Sequence, residues 1–186
     1  MITYLLAGTP TPRLTERPEW SPTAFLEACR GFVSEARHDD LAAVLVPPGD
    51  AGAEPPTDPR PPHDQAARAW ADLAAQVDDA VVQARSARTH RDVGPVARTA
   101  AGFRGDVAAG VTQAFEAPHP GERERALDAL RWRLADEFTT AAPDGFGALL
   151  ARAVQLRLAW RRATWDSDAG WAELEATLRR IEASHA

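Results

Sequence analysis

Lysine and asparagine are absent from this 186-residue chain, and cysteine, methionine and tyrosine occur once each. All 21 basic positions are therefore Arg, the mark of GC-rich coding, so an Arg here is weaker evidence for bidentate recognition than usual. Cys29 alone excludes an intrachain disulfide and a thiolate metal site. No apolar run approaches the roughly twenty residues a membrane-spanning helix needs; Leu41–Val46 is among the longest. Residues 1–8 are apolar but lack a basic leader, and Pro10 and Pro12 follow. Neither a signal peptide nor an anchor is expected, and the expected location is the cytoplasm. Positive charge is also short: the formal net charge of −6 argues against a nucleic-acid binder, which needs a cationic excess to meet phosphates.

What remains is an ordinary globular balance, 45% hydrophobic and 26% charged, in a length suited to one domain. Ile2–Leu6 reads equally as a short strand or the opening of a helix. Ser21-Pro22 gives an N-cap and a proline at the first helical position; Phe25, Ala28, Cys29 and Phe32 form one face of the helix that follows. Ser34 caps a next helix, stopped by Pro47-Pro48. Residues 47–63 hold seven prolines and read as a linker, because they cannot bury enough surface to offset ordering entropy. Asp64 caps a long helix to about His90, with Trp70, Leu73, Val77, Val81 and Ala84 as its stripe. A poorer helix spans about 97–117, interrupted by Gly102, Gly105 and Gly110.

The last third is the most regular. Residues 121–139 align Leu127, Leu130, Leu134 and Phe138, and Pro143-Asp144-Gly145 makes a turn. Residues 146–162 carry two apolar rows, Leu149/Ala153/Leu156/Trp160 and Leu150/Val154/Leu158, so this helix should be central. Trp171, Leu174, Leu178 and Ile181 give a final stripe. The fold class is all-α: an antiparallel bundle of five to six helices, with residues 1–46 as an N-terminal helical segment, 47–63 as linker and 64–186 as the bundle, expected to form one domain with 1–46.

Chemical motifs are sparse. Glu35–His38 and Glu182–His185 have the Glu-x-x-His spacing of di-iron carboxylate bundles, but those sites also need two inward glutamates on two other helices, and Glu182–His185 sits at the end of the chain, where a ligand is poorly held. A small metal-dependent helical enzyme therefore stays an alternative, and neither a metal nor a cofactor is expected. Asp39-Asp40 and Asp78-Asp79 do not converge and read as solvated faces. Gly145-Phe146-Gly147 lacks the rest of a phosphate loop. Trp132 lies well off the Leu127/Leu130/Leu134 stripe: either another helix covers it or it is an exposed anchor. Arg157, Arg161 and Arg162, with Arg131 and Arg133, make the last third locally basic, either a solvated face or a patch for an acidic protein partner. The candidate partner-binding residues are Arg131, Trp132, Arg157, Trp160 and Arg161.

Several stretches resemble one family. They are Tyr4-Leu5-Leu6-Ala7-Gly8 with Pro10, the Ser-Pro-x-x-Phe-Leu-x-x-Cys-Arg helix at 21–30, Pro120-Gly-Glu-Arg-Glu-Arg-Ala-Leu-Asp-x-x-Arg131-Trp132, Asp136-Glu137, and Leu149–Trp160 with Arg161. Together they resemble an uncharacterised bacterial family encoded alongside subunits of V/A-type rotary ATPases, itself similar to the all-helical C (or d) subunit. The resemblance implies a non-catalytic helical subunit or assembly factor, with ATPase subunits as partners and a position peripheral to the membrane through that complex. A self-associating helical scaffold is the remaining alternative.

Overall fold

The computed structural model describes residues 1–45, 61–89, 102, 104–165, 177, 179 and 180. Among them the chain forms seven helices and no strand: α1 (Ile2–Gly8), α2 (Pro22–Cys29), α3 (Glu35–Leu45), α4 (Gln65–Thr89), α5 (Gly105–Glu116), α6 (Pro120–Ala141) and α7 (Phe146–Ala163). The fold is all-α, as expected. The open reading of Ile2–Leu6 resolves as helix. None of these helices is long and apolar enough to cross a membrane.

Local chemistry sets the ends. Ser21 accepts a hydrogen bond from the Ala24 N–H and Pro22 opens α2, satisfying one of the amides a helix start leaves unpaired. The helix stops at Cys29, where Gly31 takes a positive φ of 84°. Phe32 is therefore off the apolar face assigned to it and is exposed. The Asp39-Asp40 pair also divides. Asp39 is solvated, but Asp40 is buried and accepts from the backbone N–H groups of His63 (2.9 Å) and Asp64 (2.8 Å). Asp64 in turn accepts from the Ala66 N–H and pairs with Arg37. Two carboxylates thus hold the start of α4, one from its own chain entry and one from α3.

α5 is shorter than its expected span: Gly102 lies before it with φ 85°, Gly105 is its first residue, and only Gly110 is interior. A Cβ at Gly110 would lie 2.9 Å from a terminal methyl of Leu130, so glycine lets α5 close on α6. Residues 97–101 and 103 of the expected span lie outside the described residues, as do 47–60 of the linker and most of the 171–185 helix.

Directions follow from side-chain contacts. Asp128 meets Arg161 and Asp136 meets Gln155, so advancing along α6 retreats along α7: an antiparallel hairpin. α4 and α6 are likewise antiparallel, through Asp78–Arg131 and Arg85–Glu124. α4 and α5 are not. Gln76 binds Gly102 and Arg104, while Arg88 reaches the Phe115 carbonyl, so both helices run the same way. This departs from a simple antiparallel bundle: the residues that open α5 lie beside Gln76, in the middle of α4.

α7 is the central element. Eleven of its eighteen residues are buried, and α1, α2, α3, α4 and α6 all pack on it. The two adjacent apolar rows require this, since one neighbour cannot cover so wide a face. Leu5, Phe25, Cys29 and Leu41 join Trp70, Val111, Leu134 and Leu149 in one buried cluster. Residues 1–45 therefore share a core with 61–165.

Candidate functional site

The α6–α7 hairpin carries the residues nominated for partner binding. Asp128, one residue after the stripe position Leu127, is almost wholly buried. Arg161 donates a hydrogen bond to its carboxylate, and the Arg131 guanidinium stands 3.9 Å away while also donating to Asp78 at 3.3 Å. Burial pushes the Asp128 carboxyl above the usual carboxylate range, opposed by the two guanidiniums. Arg131 and Arg161 thus meet at one internal acid. The others go elsewhere. Arg157 donates to the Val44 carbonyl of α3 at 3.4 Å. Trp160 lies under the Arg17 guanidinium, 5.9 Å from its ring centroid. Trp132 is half-buried and packs against the core. The five residues do not form one exposed patch.

At the open end of the hairpin, helix α7 ends with Arg161 and Arg162 in its last turn, where cations complement the helix dipole. Just beyond, Trp165 is 57% exposed. Trp160, Arg161, Arg162 and Trp165 therefore share the last turns of α7 and its exit.

The opposite end of α6 is pinned by Arg104. Its guanidinium binds Glu137 at 2.6 and 3.0 Å and Asp106 at 2.7 and 3.0 Å. These two carboxylates raise its proton affinity, and it holds Asp106 below the usual carboxylate range. Beside it an open groove of about 360 Å³ runs between α4 and α6, floored by Leu73 and Phe138 and rimmed by Asp72 and Gln76.

The chemically suggestive motifs have structural occupations. The His38 Nε2–H donates to the Leu26 carbonyl at 3.2 Å, tying α3 to α2, and Glu35 is exposed. Glu182–His185 lies outside the described residues. Among the described residues no group of three or more His, Cys, Asp or Glu could hold a metal ion. Cys29 is buried, and desolvation pushes its thiol up to about 12. Gly145 precedes α7 as its N-cap residue, and Phe146 is buried with the Arg37 guanidinium 5.0 Å from its ring centroid.

Sequence reasoning missed Asp128 and Asp40 as buried charges and Arg152 as a half-buried one. The available signal was a charge inside an apolar register: Asp128 is seven residues before buried Ala135, and Arg152 four before Leu156. Asp40 directly precedes Leu41, and only the fold brings the start of α4 to it.

The fold and its contacts define an all-α bundle organised on a buried central helix. No family model matches the chain, nor does any curated protein or solved structure.

Proposed function

We propose that this protein acts through protein–protein contact, as a non-catalytic helical subunit or assembly factor of a V/A-type rotary ATPase. Its contact surface includes the end of α7, where Arg162 and the exposed Trp165 stand next to Trp160 and the Asp128-paired Arg161. The observation that carries the contact reading is the composition of that surface. Trp and Arg are the side chains over-represented at interface anchors, and this cationic end in a chain of net charge −6 suits an acidic partner face. The ATPase is named on a separate ground, the motifs of residues 4–10, 21–30, 120–132, 136–137 and 149–161. Their polar members Asp128, Arg131, Asp136 and Glu137 pin α6 to its neighbours, which accounts for them as parts of a scaffold.

The test is affinity purification of the tagged full chain from its native host at low and high salt. ATPase subunits should be recovered, and should be lost in a Trp165→Ala/Arg162→Glu variant whose circular dichroism is unchanged. Recovery of no ATPase subunit removes the named assembly. Undiminished recovery with the variant removes the α7 end as the surface.

A further inference from the structure

A second cationic feature lies along the middle of α7 and goes beyond the contact reading. Between the 9–20 segment and the middle of α7 is a pocket of about 70 Å³, walled by Pro10, Pro12, Trp20, Phe25 and Leu156. A water needs roughly 10–15 Å³ of such space, so a group of a few heavy atoms fits. Arg152 enters from α7, and all its hydrogen bonds among the described residues come from one nitrogen. Nη1 donates to the carbonyls of Thr9 (3.3 Å) and Pro10 (2.9 Å) and to the Thr11 hydroxyl (2.9 Å).

The Nε and Nη2 groups donate to no described residue, and neither is sealed from solvent. That edge of a guanidinium is the one that receives a carboxylate or phosphate side-on. Nor does any carboxylate among the described residues pair with Arg152, although burial lowers its proton affinity. Nearby charges set the sign and size of the charge this pocket favours. Arg13 is taken by Glu16 at 3.0 Å. Arg17, stacked on Trp160, makes no ion pair among the described residues, and Glu19 is the remaining acid on the wall. Two unpaired cations against one acid leave a single positive charge.

We propose that this pocket binds one carboxylate group, received side-on by the Nε–Nη2 edge of Arg152 with Arg17 as the second cation. A monoanion neutralises the site, whereas a phosphate dianion overshoots it. The group comes either from a free small acid or from the side chain of an acidic residue on a protein.

The test follows the Arg152 Nε–Hε signal by NMR in the full-length chain, labelled with ¹⁵N-Arg, at constant ionic strength in chloride. Acetate should shift this signal saturably in the millimolar range, ahead of inorganic phosphate. Arg17→Gln, which leaves the three Nη1 contacts in place, should weaken acetate by about three- to fivefold. N-acetyl-glutamate α-amide separates the sources: saturation by it as well as by acetate supports a protein side chain, and saturation by acetate alone supports a small acid. The proposal is overturned if neither carboxylate saturates, if phosphate binds ahead of both, or if Arg17→Gln changes nothing.

Discussion

At Cys29 the thiol has no accessible surface and is pushed up to about 12 by burial. The thiolate is the reacting species, so at pH 8 the native reactive fraction is roughly one part in ten thousand, against about a quarter for a free thiol near 8.5. Native protein should leave a disulfide reagent unreacted at pH 8 and react fully once unfolded in urea; rapid labelling of the native form would refute this. Asp128 poses the converse problem, a buried carboxylate whose partners are partly wet. Arg161 is 39% exposed and the Asp128 side chain only 2%. Removing the arginine leaves a buried charge, while removing the acid leaves a guanidinium that water can reach. Arg161→Met should therefore destabilise by about 2–4 kcal/mol at pH 7, and Asp128→Asn by about 1–2 kcal/mol. Because burial holds Asp128 above its unfolded value of about 3.9, the folded state binds this proton more tightly. Its contribution to stability falls as pH rises through the window above that value and recovers as pH falls back. The Arg161→Met deficit should thus shrink as the pH is lowered from 7, read by urea denaturation at each pH. A deficit that is constant or grows on acidification counts against a buried carboxylate as its cause.

The same accounting applied to whole helices explains why α4 begins where it does. Asp64 alone is an ordinary N-cap, but Asp40 satisfies two further amides from a different helix while buried. Asp64→Ala should cost about 1 kcal/mol. Asp40→Ala should cost about 2–3 kcal/mol, because it strands two amides under α3, and hydrogen exchange should rise first in the opening turn of α4. Equal effects of the two variants would mean that Asp40 merely sits near that end. Most of the helices were legible because their ends and stripes are local: Ser21-Pro22, the Trp70–Val81 spacing and the double row of α7 are written in adjacent turns. Phe32 and Asp40 were misread because the deciding contact is not local. Phe32 lost its face to a turn at Gly31, and Asp40 found acceptorless amides 23 and 24 residues away. The nominated surface fared likewise. Helical periodicity can show that Arg131 and Arg161 leave the apolar stripe, but not that both point at one buried acid on α6.

For the molecule as a whole, the question is whether residues 1–45 are an appendage or a part of the core. A proline-rich stretch follows them in sequence, which invites the first view. The contacts argue for the second: α1, α2 and α3 all pack on α7, Arg152 and Arg157 reach back to Thr9–Thr11 and Val44, and Arg37 meets Asp64. The helix that fills the centre of the bundle is thus also the floor of the N-terminal helices, so neither part can lose its packing alone. Leu149, fully buried at the heart of α7, is the place to test this. Leu149→Ala removes apolar contact and leaves a cavity, at about 2–5 kcal/mol. In a protein this size that should lower the urea midpoint by about 1–2 M. Two probes then report on opposite parts: Cys29 labelling follows α2, and far-ultraviolet circular dichroism is dominated by α4, α6 and α7. In one cooperative unit the two transitions coincide in the parent and move together in the variant. Labelling of Cys29 at clearly lower urea than the loss of helix would separate the N-terminal helices from the core. The shared cluster from Leu5 to Leu158 would then be a contact between two units rather than the interior of one.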